Sequence, residues 1–221
     1  MSGGLRPANK AGLRLLLIRH GETLWTEQHR LHGRLDAPLS ATGRRHAELT
    51  AECLRAETLT DPLDVVYTSP LGRALETARL LGEAVGRVPV PLEGVRERAY
   101  GWMEGKPMWL ADPDGKTVPG LRLLARFIMD RTAEPLRAFI ARTEAAAETL
   151  RQRHPYGRVA VVTHWGVISM LVASLVDGQP HTWTGRGPWV ACGLTELQYA
   201  DGGWRMTRQN DHAHLKEGSP A

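Results

Sequence analysis

Cysteine is scarce in this chain: Cys53 and Cys192 are alone in 221 residues. With no second cysteine near either, a disulfide framework and a thiolate zinc cluster are excluded. No apolar stretch approaches the ~20 residues that a membrane span needs. Met1 to Gly12 also lack the apolar core of a signal peptide. These absences predict a soluble, cytoplasmic protein with no membrane partner. Basic runs and basic patches interleaved with aromatics are missing as well. The formal net charge is only +4, from 28 Lys+Arg against 24 Asp+Glu. So small an excess suits a solvated surface and argues against a nucleic-acid partner. Neither an internal repeat nor a low-complexity segment interrupts the sequence.

What is present is an alternation of strand-like and helix-like segments. Leu13 to Arg19, Asp64 to Thr68 and Val159 to Thr163 are branched, apolar runs of the kind buried on both faces of a parallel sheet. Ser40 opens a helix to about Ala56, Pro70 starts another that closes near Gly86, and Val88 to Val90 is extended. Leu136, Phe139, Ile140, Thr143, Ala147 and Leu150 mark one face of a helix entered at Pro135, and a last helix covers Val167 to Val176. Leu194 to Tyr199, a Gly202-Gly203 turn and Trp204 to Thr207 read as a closing hairpin. Glu97 to Gly120 is loop-like, broken by glycine and proline. This order predicts a layered α/β sandwich in one domain over residues 1–221, with 1–12 and 217–221 loose. A chain of this length buries roughly 70% of its unfolded surface.

Two strands end in histidine, at His20 and His164. In open α/β sheets the ligand crevice lies beyond the carboxyl ends of the strands, so both imidazoles arrive where chemistry is usually done. Gly21 lets backbone approach a ligand. Arg73 sits in the first turn of the helix from Pro70, where the backbone N–H groups already favour an anion. Glu97 begins the glycine-rich loop. Arg19 and Arg73, His20 and His164, and Glu97 together suit a dianionic phosphoryl group with a proton donor beside it. His212 and His214 have no cysteine near them in the sequence, and no metal site is expected.

The motifs are Arg19-His20-Gly21-Glu22-Thr23, Gly33…Asp36-Ala37-Pro38-Leu39-Ser40…Gly43, Thr68-Ser69-Pro70-Leu71-Gly72-Arg73-Ala74, Glu97…Gly101…Glu104-Gly105 and Val162-Thr163-His164-Trp165-Gly166. In that order the chain resembles the histidine phosphatase superfamily, in the branch similar to cofactor-dependent phosphoglycerate mutase and its phosphatase relatives. The resemblance implies a three-layer α/β/α sandwich with a mostly parallel central sheet. It also implies that His20 is the nucleophile, that Arg19, Arg73 and His164 hold the phosphoryl oxygens, and that Glu97 is the proton donor. Arginine and imidazolium would do the work of a cation, with no metal and no cofactor. Gly21, Thr23, Thr26, His32, Gly33, Tyr100 and Trp165 would contact the substrate.

The sequence departs from the family pattern at three of those places. Thr26 follows Trp25 where the family often has Asn, His32 stands before Gly33, and Trp165 occupies a position commonly held by glycine. The indole of Trp165 narrows the pocket, forms a stacking wall or turns into the core. Trp102, Met103, Met108, Trp109 and Phe127 suggest an apolar lid. Mutases carry a longer insertion after the acid with extra basic groups, for which Lys106, Lys116, Arg122 and Arg126 are candidates. Here His164 lies only 67 positions after Glu97, which favours water as acceptor. The expected activity is therefore a metal-independent phosphomonoesterase acting on a small phosphorylated metabolite through phosphohistidine. The alternatives are a mutase-type phosphoryl transferase and a non-catalytic phosphate-binding regulator. A homodimer is left open.

Overall fold

Leucines and isoleucine fill both faces of the first apolar run, and both faces are covered. The computed structural model describes residues 12–110, 124, 127–129 and 131–216, and in it this run is strand β1, Leu13–Arg19. It lies in a sheet with β2 (Val65–Thr68), β3 (Val90–Pro91), β4 (Gly157–Thr163), β5 (Leu194–Ala200) and β6 (Gly203–Asp211), ordered β3-β2-β4-β1-β5-β6. The strands β1 to β4 are parallel, β5 runs antiparallel to β1, and β6 antiparallel to β5.

Five helices are named here: α1 (Leu24–Glu27), α2 (Ala41–Glu57), α3 (Gly72–Val85), α4 (Leu136–Arg153) and α5 (Trp165–Leu171). Leu13, Leu15, Leu17, Val159 and Val161 pack on Phe139, Ala147 and Leu150 of α4 and on Val167, Ile168 and Leu171 of α5. Leu16, Ile18, Ala160 and Val162 face the other way, onto Ala51 and Leu54 of α2 and Ala74, Ala78 and Leu81 of α3. The result is the expected three-layer sandwich around a mostly parallel sheet. Each of these fully buried Leu or Ile side chains contributes roughly 1.5–3 kcal/mol. Beneath the amino-terminal half of the sheet, Arg158 is only 4% exposed and pairs with Glu57 and Glu196 at 2.7 and 2.9 Å.

The register delivers the site. Arg19 lies opposite Thr163, so His20 and His164 leave the sheet side by side. The His20 N–H donates to the Thr163 carbonyl at 2.9 Å and fixes that exit.

Local differences from the sequence reading have local causes. Helix α1 falls in a polar stretch without helical periodicity, held by a capping box between Thr23 and Thr26. Helix α3 starts at Gly72 rather than Pro70, because its first N–H groups are taken by Asp36. Helix α5 begins at Trp165, directly after His164, and gives way to a π turn over Val172–Val176. The loop from Glu97 contains short 3-10 turns at Gly101–Met103 and Met108–Leu110. The positions of Lys116, Pro119-Gly120-Leu121, Arg122 and Arg126, with the chain ends at 1–11 and 217–221, lie outside the described residues. Among the described residues no helix is long and apolar enough to cross a membrane.

Candidate active site

Where β1 ends, Gly21 turns the backbone against Gly43 at the start of α2; a Cβ on Gly21 would lie 2.6 Å from the Gly43 carbonyl oxygen. Only glycine permits so close an approach. The turn leaves the Gly21 carbonyl accepting from His20 Nδ1 at 2.7 Å. A carbonyl can only accept, so the ring proton sits on Nδ1 and Nε2 carries the free lone pair. That lone pair faces the Arg73 Nε–H at 3.2 Å.

Arg73 is 1% exposed and uses every N–H it has. Its Nη1 donates to Leu35 O at 3.0 Å and Asp36 Oδ1 at 2.9 Å, and its Nη2 donates to Gly33 O at 2.8 Å and His164 Nδ1 at 3.2 Å. The Nε and Nη2 edge is therefore a fork aimed at both imidazoles, the geometry that meets two phosphate oxygens at once. Because His164 Nδ1 accepts, its proton is on Nε2, which donates to Ser69 Oγ at 2.7 Å. Ser69 and Asp36 thus set the tautomer of His164 and the aim of Arg73.

Burial, reinforced by the Arg73 charge, holds both imidazoles well below the ordinary histidine value. The positive charge beside them is that of the Arg73 and Arg19 guanidinium groups. Arg19 donates from Nη1 to Trp189 O at 2.7 Å. Its Nε is buried and without a partner among the described residues. A donor left unpaired in the interior is costly, and an oxyanion is the partner that would remove the cost.

Glu97 is 8% exposed. Its carboxyl accepts from Arg98 N at 2.8 Å and Gly166 N at 3.2 Å. Burial outweighs these bonds and raises the Glu97 affinity for its proton. A Cβ at Gly166 would meet Glu97 Oε1 at 2.4 Å, so glycine there leaves the carboxyl in its place.

A pocket of about 370 Å³ is lined by Arg19, His20, Arg73 and Glu97, with His32, Gly33, Tyr100 and Trp165 around them. His164 does not line it; the ring is fully buried behind the Arg73 fork, with its centroid 5.1 Å from that of His20. Thr26 does not line it either, because its hydroxyl accepts the Thr23 N–H at 3.2 Å and closes the capping box. Thr23 is buried and its hydroxyl meets His32 Nε2. With burial first and Arg73 and Arg19 adding to it, His32 is brought down to about 4. Of the apolar lid residues, Met108 lines the pocket, whereas Met103 is 1% exposed and belongs to the interior. Lys106 lies over the Trp102 ring at 4.4 Å.

The profile of the histidine phosphatase superfamily (branch 1) matches residues 15–212. The chain belongs to this superfamily. Among its relatives is a protein of Bacillus subtilis named uncharacterized phosphatase PhoE, 30% identical over 199 residues, covering 90% of this chain and 95% of the relative. A Yersinia enterocolitica protein named probable phosphoglycerate mutase GpmB is 27% identical over 216 residues, covering 92% and 95%. Of the superfamily structures, mycobacterial glucosyl-3-phosphoglycerate phosphatase superposes with a TM-score of 0.75 at 28% identity, covering 90% of this chain and 99% of that one. The superfamily membership and the phosphatase-named relatives mark the chain as an enzyme of the histidine phosphatase kind.

Proposed function

We propose that this chain is a phosphomonoesterase that hydrolyses a small phosphorylated metabolite in the cytoplasm through a phosphohistidine on His20, without metal or cofactor. The observation that carries the reading is the Nδ1–H to Gly21 O bond, which leaves the His20 Nε2 lone pair at the Arg73 fork inside the pocket.

In the first step Nε2 attacks phosphorus and the bond to the leaving oxygen breaks. Glu97 gives its proton to that alkoxide, a contribution of about 10²–10⁴ in rate. Arg73 and the unpaired Nε–H of Arg19 stabilise the charge that gathers on the equatorial oxygens. In the second step water attacks the phosphohistidine, the Glu97 carboxylate takes the water proton, and inorganic phosphate leaves a neutral His20. Splitting one hard displacement into two is what a covalent nucleophile supplies.

The test is phosphate release from p-nitrophenyl phosphate and a panel of metabolite monoesters in EDTA, comparing the parent with His20→Ala. Release that survives EDTA and is lost in the variant supports the reading. Phosphoryl exchange between monoesters without release would instead identify a mutase-type transferase. Anion binding without any phosphohistidine would identify a regulator.

A further inference from the structure

Beyond the phosphoryl cradle the pocket wall is formed by Arg30, Leu31, His32, Gly33, Tyr100, Met108 and Trp165. Among the described residues its one permanent cation is Arg30. The Nε donates to Gly105 O at 2.6 Å, and the guanidinium lies over the Trp25 ring at 5.0 Å. His32 is bound to Thr23 and neutral. Burial keeps the Tyr100 phenol protonated. Beside the Arg30 guanidinium and the Tyr100 hydroxyl, the described wall offers a substrate the apolar and aromatic surface of Leu31, Met108 and Trp165.

Trp165 is the fixed part of it. The residue follows His164 directly, as the first residue of α5. Its ring packs against Trp183 with centroids 6.0 Å apart, and Trp183 is 4% exposed and braced by Phe139 at 5.5 Å. On the Nε1 edge stands Gly187, where a Cβ would come within 3.2 Å of the indole nitrogen. An indole held from behind and from its edge costs little further ordering when a ligand meets its open surface. Met108, 52% exposed, adds a polarizable thioether to the same pocket.

We infer that Trp165 is a specificity-determining residue: it stacks on the organic part of the substrate and selects phosphomonoesters of aromatic, uncharged alcohols over those of small polyols. This inference rests on the phosphomonoesterase reading of the same site. Offset or edge-to-face contact with a ring, beyond the burial of area, gives the preference its magnitude.

The experiment compares kcat/KM for benzyl, cyclohexylmethyl and glycerol 3-phosphate, whose leaving groups are all alkoxides, in the parent, Trp165→Gly and Trp165→Leu. The parent is expected to favour the benzyl ester over the glycerol ester by about two- to tenfold. Trp165→Gly should remove most of that preference, lowering kcat/KM for the benzyl ester more than for the glycerol ester. Trp165→Leu, which keeps apolar bulk at the start of α5, should leave benzyl and cyclohexylmethyl esters equal. No benzyl preference in the parent, or equal losses on all three esters in the glycine variant, overturns the assignment. Calorimetric binding of the three esters to His20→Ala gives the same comparison without turnover. If no ester is hydrolysed but the benzyl ester binds tightest and loses that advantage with Trp165→Gly, the hydrolytic reading fails and the role of Trp165 stands.

Discussion

Glu97 shows how burial and hydrogen bonding act on one carboxyl in opposite directions. Its carboxyl is buried, which raises its proton affinity, while two backbone N–H groups limit the rise and fix its direction. Glu97→Gln keeps the shape but has no proton to give. Turnover of alkyl phosphates should fall about 10²–10⁴-fold, while vanadate or phosphate affinity changes little; steady-state kinetics beside anion titration checks both, and an unchanged rate removes Glu97 from the mechanism. His20, His164, Arg73 and Glu97 are legible in the sequence because each follows a strand end or opens the segment after one. Asp36 and Ser69 are harder to find, since their partners Arg73 and His164 lie 37 and 95 positions away. Thr26 misleads for a related reason: a threonine in a motif position reads as a ligand contact until the capping box claims its hydroxyl.

At the scale of elements, β1 and β4 carry both chemistry and stability. Their carboxyl ends bring His20 and His164 together, and near their amino ends Arg158 is pinned by Glu57 and Glu196. Both Arg158 and Glu196 are more than nine-tenths buried; without Glu196 the guanidinium keeps Glu57 and Asp61 but its buried Nε–H loses its acceptor. Glu196→Ala should cost about 1–3 kcal/mol in urea unfolding, with kcat nearly unchanged because the site is at the other end of the strands; a loss under about 0.5 kcal/mol would mean the pair is solvated. These strands are readable as apolar runs, and α2, α3 and α4 by their caps and periodicity. Helix α1, held by its capping box, and the 3-10 turn at Pro180–Gly185, which carries Trp183, have no such period.

The whole molecule pays for its neutral imidazoles when acid is added. His20, His164 and His32 all have folded values below the ordinary 6.5, so the unfolded chain binds more protons than the folded one below that pH. Their stabilisation is complete above about 6.5 and is lost as pH falls from there toward the folded values. Glu97 acts in the opposite sense: its raised value gives stability at low pH that is lost as pH rises through it. Three groups outweigh one, and the unfolding free energy should drop by about 2 kcal/mol between pH 7.5 and 5.5. Urea titrations at the two values check this, and a flat or rising profile would contradict it.

On the proposed route His20 carries the phosphoryl group. The most direct measurement is a rapid alkaline quench during turnover of a monoester, followed by phosphorus NMR and peptide mass spectrometry of the protein. A phosphate on the peptide containing His20, absent from His20→Ala and accumulating in Glu97→Gln with an aryl ester that leaves unaided, is the result expected. Steady turnover with no phosphorylated histidine, or a phosphate on any other residue, would contradict it.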